Sequence, residues 1–241
     1  MRASADTATA ALAAAVEAVA STSLLALAVD GRLGQQIVDA ATAVEAAAAG
    51  GRQGARNARS GRLVGTWALA YTNSSAVVGN AGLTGAGRLL PGVRLDALRV
   101  GYALDGRAWA EERLRAAFGV VGVRNRLTGT WAAAPGGDGN TVEQTYAELV
   151  TQPGGITLRA DSKAVVDVTY LDEEWRIARA PKSRDLFVFR REPTEAADWA
   201  WKAGGEEEKG KGKGKEATRE GELAADKAPK NREARRQAKK K

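Results

Sequence analysis

The chain is 241 residues long, with 36 Lys and Arg against 29 Asp and Glu, a net charge of +7. It contains no Cys and no His, which excludes disulfides, thiolate nucleophiles, Ser-His-Asp or Cys-His catalysis and any His-ligated metal. The charge is lopsided: Lys202–Lys241 holds 14 basic and 8 acidic residues, so this tail alone carries +6 and dominates the high isoelectric point.

Residues 3–29 and 34–49 are rich in Ala, the best helix former, and predict two helices separated by Gly31 and Gly34. In the second, Ile37, Val38, Ala41, Val44 and Ala48 fall at helical spacing and give one apolar stripe. The first twenty residues have the Ala, Ser and Thr content of a transit peptide, but Asp6 and Glu17 point instead to a plain amphipathic helix. Leu24–Val29 is apolar but far short of the ~18–20 residues of a membrane-spanning helix. Gly50–Ser60, rich in Gly and Arg, reads as a linker, so residues 1–60 form a helical segment ahead of the main domain.

From residue 61 to 192 the pattern changes to short alternating runs. In Val64–Thr72, Trp67, Leu69 and Tyr71 share a face. Val166, Val168 and Tyr170 alternate with Asp167 and Thr169 in Val165–Leu171. Val120–Arg126, Leu127–Trp131, Thr141–Val150 and Leu186–Arg191 are further strand candidates. Turn signals stand at Pro91-Gly92, Asp105-Gly106, Pro135–Asn140, Pro153–Gly155 and Pro181–Ser183. Strands this short and this regularly spaced predict a mainly β domain, an antiparallel barrel or sandwich, with closure into a barrel removing exposed edges. Beyond Pro193, Thr194 is placed to cap a short helix over Glu195–Lys202. Residues 203–241 have too few apolar side chains to offset the entropy of ordering, so 193–241 reads as a short helix and a disordered basic tail.

Three patterns suggest chemistry but lack its context. Gly205–Lys211 has the spacing of a phosphate-binding loop, yet Gly212 stands where Ser or Thr is needed. Gly82, Gly85 and Gly87 do not match a dinucleotide fingerprint and read as a flexible loop. Glu111-Glu112 and Glu173-Glu174 are adjacent pairs, which a strand would send to opposite faces; both are expected to be solvated turn charges.

The run Leu63-Val64-Gly65-Thr66-Trp67-Ala68-Leu69-Ala70-Tyr71-Thr72 resembles the L-x-G-x-W-x-L-x-Y-T segment of the plastid lipid-associated protein (fibrillin) family. Tyr170–Arg179, YLDEEWRIAR, is similar to that family's Y-L-D-x-x-L-R-I-S-R signature, and Leu186-Phe187-Val188-Phe189 to its L-F-V-L. Upstream, Leu24-Leu25 and Asp30–Gly34 loosely resemble its helix pair, with Leu33 separating the expected Arg-Gly. Trp175, Ala178 and Ala180 depart from the usual Leu, Ser and Gly. The resemblance spans roughly residues 20–192. It implies a lipocalin-like barrel preceded by helices, a plastid location at plastoglobules or thylakoids, and a structural or carrier role for lipids, carotenoids or quinones.

On this reading Trp67, Leu69, Tyr71, Val166, Val168, Tyr170, Phe187 and Phe189 either line an apolar binding interior or fill a solid core, since a small barrel does both. Asp172, Arg176 and Arg179 are the candidate polar anchors, or close the barrel with an Arg stacked on Trp67. The expected function is non-catalytic binding of an apolar molecule at a lipid surface, without a cofactor. Its rivals are a coat protein of lipid bodies with no internal ligand and a polyanion-binding adaptor acting through the tail. That tail suits an anionic lipid or acidic partner. It has no aromatic residue on which bases could stack, which disfavours nucleic acid.

Overall fold

The computed structural model describes residues 4–20, 22, 31–49, 57–89, 92–116, 119–135 and 139–193. The expected helix over Glu195–Lys202, the charged tail and Gly205–Lys211 lie outside them.

Two helices come first. α1 spans Ala5–Glu17, started by the Ser4 hydroxyl, which accepts from the Thr7 backbone N–H at 3.2 Å. α2 spans Gly31–Ala49 and buries Gly34, Ile37, Ala41, Val44 and Ala48. The apolar stripe thus begins a turn earlier than the glycines suggest, because Gly34 belongs to its buried face instead of ending a separator.

Eight strands follow: β1 (Gly65–Thr72), β2 (Arg94–Tyr102), β3 (Arg107–Ala116), β4 (Val121–Ala133), β5 (Thr141–Gln152), β6 (Ile156–Leu171), β7 (Trp175–Arg179) and β8 (Leu186–Glu192). Each pairs antiparallel with its sequence neighbours, and β8 returns to β1, closing the barrel. Every ladder is thereby satisfied and no edge remains open. The expected β domain is present and the barrel alternative to a sandwich holds. The two strands expected over 120–131 are one long β4, and β6 starts nine residues before Val165. β3 and β7 carry no clean apolar alternation, and β2 carries it only from Leu98 to Tyr102.

The antiparallel meander puts the β1–β2, β3–β4, β5–β6 and β7–β8 connections at one end, here called the mouth. The β1–β2 connection contains a short helix, α3 (Ser75–Gly79), and a 3-10 turn at Ala86–Leu89. The opposite end is closed. There Trp67 donates its indole N–H to the Leu63 carbonyl at 2.9 Å, and the Arg191 guanidinium lies 4.1 Å above the ring. Arg191 also donates to the backbone carbonyls of Arg62, Val64 and Glu173, tying the segment before β1 to the β6–β7 turn.

Apolar side chains form two clusters. One fills the barrel interior and includes Leu63, Trp67, Leu98, Val100, Leu127, Val142, Val168 and Phe189. The other lies outside the barrel, where Leu12, Val16, Ile37 and Val44 of the helices meet Tyr71, Tyr170, Trp175, Ile177, Leu186 and Val188. β7 is buried on both faces because it has the interior on one side and the helices on the other.

Candidate functional site

Inside the barrel is a cavity of about 350 Å³. Its walls come from alternate residues of nearly every strand: Leu69 of β1, Leu98 and Val100 of β2, Ala110 of β3, Leu127 of β4, Tyr146 of β5, Val166 of β6, Phe187 and Phe189 of β8. Val77 and Leu83, from the β1–β2 connection, roof it at the mouth. The exposed residues on its border are Ala76, Ser162 and Lys163, so it meets solvent between α3 and the middle of β6.

The roof is lashed down by a buried carboxylate. Glu112 points into the barrel from β3, 1 % exposed, and accepts from the backbone N–H of Leu83 at 2.5 Å and of Thr84 at 3.4 Å. It also accepts from the Thr84 hydroxyl and, at 2.8 Å, from the side-chain amide of Asn125 on β4. The backbone comes so close at Gly82 that a β-carbon there would stand 2.4 Å from the Glu112 carboxylate, in a conformation (φ +142°) that L residues rarely adopt. Its neighbour Glu111 faces the outside of the barrel and pairs with Arg113 at 3.2 Å and Arg124 at 2.6 Å. The sequence-based view of Glu111-Glu112 as solvated turn charges is therefore corrected: both are buried on a strand, divided between its two faces. Glu173-Glu174, by contrast, is exposed in the β6–β7 turn.

The floor, toward the closed end, is polar. Arg176 of β7 points inward, with its guanidinium carbon 4.9 Å from the Tyr102 ring centroid and 4.7 Å from that of Phe189. The Tyr146 hydroxyl donates to the Gln144 side-chain carbonyl at 2.5 Å. Burial pushes the Tyr102 hydroxyl's pKa up, opposed by the Arg176 charge beside it, and burial likewise raises Tyr146.

Of the eight residues expected to face the interior, Leu69, Val166, Phe187 and Phe189 line the cavity. Trp67 and Val168 are fully buried in the packed part of the barrel core. Tyr71 and Tyr170 are corrected: they face outward, into the helix layer. The reason is a β-bulge in each strand, between Leu69 and Tyr71 and between Val168 and Tyr170, which shifts the inside–outside phase by one residue.

The three charged candidates also separate. Asp172 stays outside the interior. Its carboxylate accepts from the N–H of Glu174 and Trp175 at 2.8 and 2.6 Å, shaping the β6–β7 turn, and from the Tyr170 hydroxyl at 2.6 Å. Arg179 pairs with Glu45 of α2 at 2.6 Å and fixes the helix to the barrel. Only Arg176 reaches the cavity, and the stacking on Trp67 belongs to Arg191. Tyr102, Tyr146, Gln144 and Glu112 were not foreseen. The signal for Tyr146 lay in the Val142, Gln144, Tyr146 alternation of β5, and that for Tyr102 in the Leu98, Val100, Tyr102 alternation of β2; Glu112 sits in a run of Ala, Glu and Arg that gives no strand period.

Outside, the strands carry ion pairs such as Lys163–Glu143 at 2.7 Å and Arg99–Glu192 at 2.9 Å. This apolar-inside, charged-outside arrangement is the reverse of a membrane-spanning barrel. No helix among the described residues is long and apolar enough to cross a membrane. No family model matches the chain, and no curated protein matches it.

Proposed function

We propose that the protein is a non-catalytic carrier or store for one small apolar molecule held inside the barrel. The cavity carries this reading: about 350 Å³ of space, walled mainly by aliphatic and aromatic side chains, with polar groups at the floor (Tyr102, Gln144, Tyr146, Arg176) and at the mouth (Ser74, Asn80, Ser162, Lys163). That combination is characteristic of ligand pockets, which run from ~300 to 1,000 Å³. A barrel evolved only for stability would be packed full. The volume lies at the small end of that range. It favours a single-chain lipid or a quinone head among the classes implied by the fibrillin resemblance, over a whole carotenoid.

A lipid surface is the working place we assign. At the mouth end Leu89 and Val120 are 85 % and 84 % exposed, and Val121, Ile156 and Leu158 are also exposed. Arg88, Arg94, Arg115 and Arg159 are exposed on the same end. Apolar side chains ringed by Arg suit an anionic interface. This also supports the coat-protein alternative, which needs the surface but not the cavity. The lipocalin-like type and the plastid location rest on the sequence resemblance, and the Arg191–Trp67 closure of the first strand supports the former.

The test is an apolar extract of the purified protein examined by mass spectrometry, followed by titration with a short-chain quinone read by Trp fluorescence. One co-purifying lipid class and saturable 1:1 quenching are expected. Ala164→Trp, which adds bulk at a half-buried wall position, should abolish quenching and leave the circular dichroism unchanged. No extractable lipid and no saturable binding would favour the coat protein.

A further inference from the structure

The cavity floor holds a cation for which no carboxylate among the described residues stands within ion-pair distance. Arg176 is 1 % exposed, and its Nε and Nη1 atoms are buried without a hydrogen-bond partner. It takes part in none of the ion pairs found among the described residues. A guanidinium does not deprotonate in proteins, so the charge cannot be shed. An unpaired buried charge is costly. The Tyr102 and Phe189 rings offset part of the cost through their faces, but a ring face leaves the in-plane N–H groups unused. Beside Arg176 lies the buried Tyr102 hydroxyl; Arg176 can only donate toward it, so the hydroxyl proton has no acceptor. Arg176 Nε, Arg176 Nη1 and the Tyr102 hydroxyl thus share the cavity floor, and what all three can do is donate hydrogen bonds to an acceptor. An anionic oxygen satisfies them and the charge together.

We infer that the molecule carried is an apolar chain ending in a carboxylate, with its acid group on Arg176 and the Tyr102 hydroxyl and its hydrocarbon running along Leu69, Val100 and Phe187 toward the mouth. The inference rests on the carrier reading and narrows it from apolar ligands in general to fatty-acid-like ones. The alternative role for Arg176 is a purely structural clamp between two rings, which needs no ligand charge.

Dodecanoate and its neutral methyl ester, titrated into the full chain by calorimetry at neutral pH, separate the two. Dodecanoate should bind at one site at least about tenfold more tightly than the ester, the usual gain from a charge-assisted hydrogen bond. In Arg176→Gln that preference should vanish while ester binding persists. Tyr102→Phe keeps the ring under the guanidinium and removes only the hydroxyl; it should cut the preference about threefold or more. Equal binding of acid and ester to the unmodified protein would overturn the carboxylate anchor and leave the carrier reading intact. Binding of neither would overturn both. If Arg176→Gln fails to fold, the acid-to-ester ratio in the unmodified protein and in Tyr102→Phe still decides.

Discussion

At the scale of single residues, the arginines show how little a side chain's identity says about its task. Arg176 and Arg179 lie three positions apart on one strand, and Arg191 is on the next. Arg176 stands in the interior, Arg179 binds Glu45 of a helix, and Arg191 covers Trp67 while holding three carbonyls. The direction of each side chain from the barrel wall decides its role. The tyrosines behave more uniformly. All four, Tyr71, Tyr102, Tyr146 and Tyr170, have pKa values raised by burial above the usual 10.0, Tyr170 to about 12. The neutral form is the one the fold favours, so their contribution is fully present below pH 10. Above it the unfolded chain releases protons that the folded chain keeps, and stability falls as pH rises toward 12. An absorbance titration should therefore find clearly less phenolate in the folded protein at pH 10 than in the urea-unfolded protein, which is about half ionised there. A tyrosine ionising in the folded protein at its ordinary value would contradict this.

At the scale of elements, two devices shape the site. The first is the bulge. Those in β1 and β6 turn Tyr71 and Tyr170 outward, giving the helices an aromatic surface to pack on while Leu69 and Val166 stay inside. The second is the β1–β2 connection, a roof fastened to the wall mainly through Glu112. Glu112→Gln removes the charge and turns one of the two acceptor oxygens into an NH2 donor, so either the Leu83 and Thr84 N–H groups or the Thr84 hydroxyl and the Asn125 amide lose their acceptor. Hydrogen bonds to a charged group are worth ~1.5–3 kcal/mol each. The expected result is faster amide hydrogen exchange at Leu83 and Thr84 by about ten- to hundredfold, with the exchange of β2 and β3 nearly unchanged. Uniformly faster exchange across the barrel would mean that Glu112 supports the whole fold, not the roof alone.

At the scale of the molecule, the helix pair covers one side of the barrel and the mouth end presents exposed apolar and basic side chains. The tail adds +6 to a remainder with 22 basic and 21 acidic residues. Each Lys or Arg near an anionic surface is worth ~1 kcal/mol, decaying within a Debye length. The interspersed acids, such as Glu206–Glu208, reduce that gain. Deleting 203–241 should leave the melting midpoint within about a degree, because so polar a segment buries little apolar surface. It should weaken flotation with anionic vesicles at low salt and change little at high salt. A truncated protein that unfolds, or floats equally well at low salt, would show that attachment lies elsewhere.

The sequence by itself determined the class of fold, because turn chemistry and period-two alternation are local: all five turn signals fall in strand connections, and β1, β5 and β8 read correctly from their apolar spacing. It also determined the helices ahead of the barrel, through Ala content and the stripe at Ile37, Ala41 and Val44. β3 was illegible because Ala, Arg and Glu favour helices, and only pairing with both neighbours makes RAWAEERLRA into a strand; in β2 the alternation of Leu98, Val100 and Tyr102 is a strand signal, shortened by the bulge between Leu95 and Ala97. The tertiary structure alone decided the site. Barrel closure fixes which face of each strand is the interior, and the bulges reset that choice within β1 and near the end of β6. Closure also brings Tyr102 of β2, Tyr146 of β5 and Arg176 of β7 to one cavity floor. No local pattern specifies that meeting, because it depends on strand order, register and the sign of each pleat across residues 30 to 74 positions apart.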